Sequence, residues 1–188
     1  MSTTANEDSN HFFCDIGANL LDDRYQGVYR GQNRHESDFM NVMERAEQAG
    51  VNRIILTAGT LEESRRAVQQ ARDWNEQFPK IHFGCTVGIH PTRCLQEFVE
   101  SEKSADQVMQ ELIEIVQDGV SDGTVVALGE MGLDFDRLQF TPKDIQLEYF
   151  ERQLRDLCSQ FELPLFLHNR NLGADLSEIL DRHANVWQ

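Results

Sequence analysis

Five short apolar runs recur along this chain, and between them lie stretches whose apolar residues return at helical spacing. The runs are Phe12–Ile16, Ile54–Thr57, Ile81–Val87, Val125–Gly129 and Leu163–Leu167. They are continuous in hydrophobicity rather than alternating, the pattern of strands covered on both faces. Strands separated by helices cannot be joined by tight hairpins, so the alternation implies a parallel sheet with helical crossovers.

The intervening stretches carry helix start and stop signals. Thr60 with Glu63, and Ser104 with Gln107, have capping-box spacing. Thr141 and Pro142 suit the cap and first turn of a helix whose Leu147, Phe150, Leu154, Leu157 and Phe161 share one face. A helix over about Asp38–Ala49 stops at Gly50, a left-handed cap. Leu172–His183 supplies a last short helix. Trp74 is expected in the core and His183 in solvent.

A parallel sheet of this order is either an open doubly wound sheet or a (β/α)8 barrel. No G-x-G-x-x-G follows the first strand, which argues against a dinucleotide fold. Polar and metal-capable residues instead follow the carboxyl ends of several strands: Asp15 and Asn19, then His90, then Glu130, then His168 and Arg170. In a barrel these ends ring one mouth, where such enzymes do chemistry. The expected fold is therefore α/β, a TIM-type (β/α)8 barrel. A full barrel takes roughly 200–250 residues or more, so this chain of 188 residues is expected to hold only its first five β/α units. Residues 1–10 read as a disordered tail, and 11–188 as the incomplete barrel: either a fragment or truncated product, or a chain whose open edge a partner covers.

Charge narrows the function. Asp and Glu number 32 against 17 Lys and Arg, a formal net charge of −15. Such a field repels polyanions, so a nucleic-acid enzyme of this composition needs a local metal or an Arg/His cluster. The four cysteines form no C-x-x-C, and the polar, acidic start lacks the features of a secretory or transit peptide. No apolar stretch approaches the ~20 residues that span a bilayer. An intracellular location, cytoplasmic or nuclear, without membrane insertion, is expected.

Glu130 ends its strand in Val-Ala-Leu-Gly-Glu-Met-Gly-Leu-Asp-Phe-Asp. A carboxylate at a buried strand end must be paired, protonated or bound to metal, so an ion pair with an arginine and a metal site are both open. His168 ends the next strand and should reach the same mouth. Glu and neutral imidazole together suit Zn, Mn or Mg. His90 could bind metal or an anionic substrate, and the planar fork of Arg170 suits phosphate. Cys94, near His90, is the one cysteine placed for a test of reactivity.

The segments Asp15–Leu20, Val87–Cys94, Ala127–Arg137 and Pro164–Asn171, in this order and spacing, resemble the TatD family of metal-dependent deoxyribonucleases. The stretch Tyr25–Asp38 further resembles eukaryotic members. The resemblance implies a barrel that hydrolyses DNA phosphodiesters with divalent metal, often from the 3′ end. It implies a metal-bridging role for Glu130, metal ligation by His168, and phosphate contacts for His90 and Arg170; Asp134 is given only loop support. Gly17 and Asn19 stand where many members carry two ligand histidines, and Asn169 follows His168 where a cysteine is usual. The family's later ligands, a histidine after the sixth strand and an aspartate in Thr-Asp-Ala-Pro, have no counterpart here. Two ligands alone predict weak metal binding and little activity. A non-catalytic form acting by protein interaction and a hydrolase of a small molecule remain as alternatives.

Overall fold

The computed structural model describes residues 12–186; the expected tail over residues 1–10 lies outside them. Five parallel strands form one curled sheet in the order β1 (Phe13–Ala18), β4 (Val51–Leu56), β5 (His82–Val87), β6 (Val125–Asp134) and β7 (Leu165–Arg170). Successive strands are neighbours, and the crossovers are α1 (Phe39–Gln48), α2 (Leu61–Gln77), α3 (Ala105–Ser121) and α4 (Lys143–Arg152). A fifth helix, α5 (Asp175–Arg182), follows β7. The sheet is half of a (β/α)8 barrel. No described helix is long and apolar enough to cross a membrane.

The predicted caps form where the sequence placed them. The Thr60 side chain accepts from Glu63 N–H, and Ser104 and Gln107 close a reciprocal capping box. Gly50 follows α1 with φ 87°. Trp74 is buried and stacks on Phe39 with ring centroids 4.6 Å apart. Thr141 differs from expectation. It is buried, and its hydroxyl accepts from the Leu95 N–H (3.3 Å), so a tertiary contact takes the oxygen that would have capped α4.

Four further departures matter. β1 is not covered on both faces: it sits at a sheet edge, and Phe13 and Ile16 are 55% and 60% exposed. β6 does not end near Gly129; it runs five residues further, so Glu130 and Asp134 belong to the strand itself. A two-stranded antiparallel ribbon, β2 (Val28–Tyr29) and β3 (Gln32–Asn33), stands between β1 and α1. His183 ends α5 half-buried, with Nε2 3.9 Å from Glu151, rather than in solvent.

Two buried glutamines on α4 and its continuation hold the strand ends that carry the site. Gln146 accepts from Asp134 N–H (2.7 Å) and donates to the Asp134 and Thr141 carbonyls (3.0 and 2.9 Å). Gln153 does the same for Ile89, accepting at 2.8 Å and donating at 3.1 Å. At Gln153 the α-helix widens into a π-turn over Gln153–Leu157, a distortion common beside functional sites. Both amides therefore replace ladder bonds at places where the sheet stops.

Gln146→Leu leaves the Asp134 N–H and the Thr141 carbonyl without the Gln146 amide, while the Asp134 carbonyl keeps the Arg137 N–H at 3.4 Å. It is expected to lower stability by about 1–3 kcal/mol, read as a shift of the urea midpoint at unchanged slope. Burial pushes the Cys85 and Cys158 thiols up to about 12 and raises Cys94 as well. At mildly alkaline pH exposed Cys14 alone should react with a disulfide reagent, the other three only after denaturation.

Candidate metal centre

The site is assembled at the carboxyl ends of three adjacent strands. β6 and β7 approach so closely that a Cβ at Gly129 or Gly132 would lie 2.2 Å from the carbonyl oxygen of Phe166 or His168. Both glycines also have φ near +140° (144° and 140°), where side chains are strained. Between them the register shifts, and the Glu130 amide leaves β7 to donate to Ala58 O (2.9 Å) at the end of β4. That bulge turns the Glu130 side chain toward the mouth. His168 lies opposite Gly132, and Arg170 opposite Asp134. His90 follows β5 and is pinned by its N–H to Gly59 O (2.9 Å).

Three of the four predicted residues converge. One donor atom each from His90, Glu130 and His168 lies within 4.8 Å of the others. His168 Nδ1 is 2.6 Å from Glu130 Oε1 and 3.1 Å from His90 Nε2. Arg170 stands beside them, with Nη1 3.6 Å from Asp134 Oδ2. Asp15 and Asn19 stay outside the cluster: Asp15 accepts from its own Gly17 N–H, and Asn19 from the Thr57 hydroxyl.

The residue that sequence reasoning missed is Asp134. It is fully buried; beyond supporting the loop by accepting from the Asp136 N–H (3.2 Å), it places Oδ2 3.2 Å from His168 Nε2. Both carboxylates can only accept, so a neutral ring, with one N–H, serves one of them; with Nε2–H given to Asp134, Glu130 is left without a donor. A neutral His168 then points the bare Nδ1 lone pair at the Glu130 carboxylate, two acceptors 2.6 Å apart. Only a cation resolves that contact: a proton on Nδ1, or a divalent metal in its place. Carboxylate–histidine–metal is a recurrent arrangement, in which the outer carboxylate fixes the ligand tautomer. The signal was present in Leu-Asp-Phe-Asp, whose first aspartate continues the period of a buried strand beyond Glu130.

Burial alone would lift the Glu130 carboxyl, but the His168 hydrogen bond, with His90, His168 and Arg170 nearby, leaves it below its ordinary value. Burial pushes the His90 imidazole down to about 4, against the upward pull of Glu130. At neutral pH the centre therefore combines an ionised carboxylate with a neutral His90. That imidazole accepts from Thr92 N–H through Nδ1 (3.2 Å), so Nε2 faces the mouth as a donor. The Thr92 hydroxyl, 2.8 Å away, can serve either tautomer.

Beside the cluster opens a groove of about 1310 Å³, lined by charged and polar side chains that include Asn19, His90 and Glu130. The TatD-related DNase family model matches residues 14–187. The chain belongs to that family. Among TatD relatives, the Schizosaccharomyces pombe protein named deoxyribonuclease Tat-D is 36% identical over 171 residues, 91% of this chain and 52% of its own. The Cronobacter sakazakii protein named 3′-5′ ssDNA/RNA exonuclease TatD is 32% identical over 169 residues, 89% of this chain and 52% of its own. The crystal structure of a TatD family hydrolase from Entamoeba histolytica superimposes with a TM-score of 0.77 at 33% identity, over 93% of this chain and 55% of that one. This TatD chain spans about half the length of the curated relatives it matches.

Asp134→Asn keeps the acceptor for the Asp136 N–H but lets an amide face His168, which favours a proton on the nitrogen that would ligate. Manganese affinity, measured by calorimetry, should fall about 10- to 100-fold.

Proposed function

We propose that this centre hydrolyses phosphodiester bonds of DNA with a divalent metal, releasing nucleotides from the 3′ end. The observation that carries the reading is the convergence of Glu130, His168 and His90 from three strand ends, with His168 oriented by buried Asp134. Names of the relatives, deoxyribonuclease and 3′-5′ exonuclease, support the substrate and the direction.

Glu130 and His168 would hold the ion. Carboxylate oxygen and imidazole nitrogen suit Mg, Mn or Zn, and catalytic zinc generally takes three protein ligands. When bound, such an ion makes bound water acidic and polarises a phosphoryl oxygen. His90 Nε2–H is placed to donate to a non-bridging phosphate oxygen, a role that its link to the Thr92 amide favours over ligation. Arg170 offers its fork to the same phosphate while its other contact is to Asp134. Asp134 holds the His168 tautomer and makes no contact with substrate. Two protein ligands and two phosphate-binding groups, the set expected from the sequence, thus make up the proposed centre.

A small-molecule hydrolase is less well supported, because the adjoining groove exceeds the ~300–1,000 Å³ of ordinary ligand pockets and is polar rather than apolar.

The test is incubation of the protein with manganese and 5′-labelled single-stranded DNA. Progressive shortening from the 3′ end is expected, and Glu130→Gln should reduce it by on the order of 10²-fold or more. Absence of shortening at a manganese concentration that calorimetry shows to be saturating would sink the proposal.

A further inference from the structure

The chain's negative charge is not spread evenly. Six of its 17 lysines and arginines form no ion pair among the described residues: Arg30, Arg34, Arg45, Arg53, Arg66 and Arg93. Four of these, Arg30, Arg34, Arg66 and Arg93, line the groove beside the metal centre, and all four are exposed. Arg24 and Arg137 line it too, tied to Asp22 (2.7 Å) and Asp134 (3.8 Å). Its carboxylates are Asp22, Asp23, Glu63 and Glu130. Of these, Asp22 is spent on Arg24, Glu63 accepts from the Gly59 N–H (2.9 Å), and Glu130 belongs to the metal centre. In a molecule where acids outnumber bases nearly two to one, this groove is where cations are in excess.

The β2–β3 ribbon forms one wall and is built to hold its arginines out. Tyr29 pairs with Gln32 across a two-residue loop, Arg30-Gly31, in which both residues have positive φ (51° and 73°). Turns of that sign favour Asn or Gly at both positions. An arginine at the first of them costs backbone energy, so something other than the turn favours it. Arg34 is fixed at the base of the ribbon, its N–H donating to Gly27 O at 2.8 Å. Tyr29, next to Arg30 in the ribbon, is 41% exposed and also lines the groove, its ring tilted against that of His35 with centroids 5.5 Å apart.

Guanidinium groups without ion partners along a trough, Arg66 held there by a bond to Leu21 O (2.7 Å), with an exposed aromatic ring beside them, suit one polymer: a single nucleic-acid strand. Phosphates meet the arginines, and an unpaired base stacks on the ring. We infer that this groove is the grip for a single strand, with Arg30, Arg34, Arg66 and Arg93 on its phosphates and Tyr29 against a base, independent of base sequence. The inference rests on the nucleic-acid reading above and goes beyond it by assigning the holding surface to residues outside the metal centre. A duplex has no base free to meet Tyr29, so it binds less well.

Binding of fluorescein-labelled oligothymidylate and oligoadenylate to the full chain, followed by anisotropy in EDTA over a sodium chloride series, tests this. Arg30→Asn with Arg34→Gln removes two charges while giving the turn the residue it prefers. The slope of log affinity against log salt should fall by about 1.4, at roughly 0.7 per phosphate contact. Tyr29→Ala should weaken binding about 5- to 150-fold, and Tyr29→Phe should restore it. Arg45→Gln with Arg53→Gln, equal in charge but away from the groove, should keep the wild-type slope. An unchanged slope in the first variant, an equal loss in the last, full affinity in Tyr29→Ala, tighter binding of a duplex, or no binding by the wild type would overturn the grip. Strand binding that passes these tests in a protein that neither binds manganese nor shortens DNA would remove the hydrolase reading alone. Shortening of DNA with a slope indifferent to Arg30 and Arg34 would remove the grip alone.

Discussion

The approach of β6 to β7 governs the mouth of this half-barrel. With no side chains at Gly129 and Gly132, the β7 carbonyls can lie where a Cβ would otherwise stand. That closeness brings His168 level with the strand carrying Glu130 and puts Asp134 on its far ring nitrogen. If the two strands were separated by even an alanine's width, the imidazole would lose one carboxylate or the other. Gln146, clamped on the Asp134 backbone, keeps the end of β6 from drifting away. The chemistry is thus a consequence of backbone spacing first and of ligand identity second.

Much of this was legible in the residues. The alternation of apolar runs and helical stretches gave the parallel order, because both patterns are local and strongly periodic. Thr60 and Ser104 announced their helices for the same reason. Thr141 did not behave as a cap, since the Leu95 amide competes for its oxygen, and that neighbour is distant in sequence. The convergence of Glu130 and His168 followed from strand-end placement. The part played by Asp134 did not, because it depends on β6 continuing past a bulge, and Gly-Glu-Met-Gly reads locally as the end of a strand. Gln146 and Gln153 were hidden likewise: a polar residue on an apolar helix face gives no sign of which backbone groups it meets.

Electrostatics reconcile a composition hostile to nucleic acid with a family that cleaves it. Elsewhere on the surface, Arg65, Arg72, Arg152, Arg155 and Arg182 are taken up by nearby carboxylates. Pairing of this kind adds little stability at exposed sites, but it cancels stray attraction. Among the described residues, four of the six arginines without ion partners lie in the groove beside the carboxylate and imidazoles of the mouth, so cations are concentrated there on an otherwise negative molecule.

The ribbon carrying Tyr29 and Arg30 is a sheet of its own, sharing no ladder with the five-stranded one. Its loop can therefore lengthen, shorten or change charge without shifting the register that sets Glu130 against His168. The proposed grip and the candidate metal centre are thus separable modules, and a lineage could retune one while leaving the other untouched.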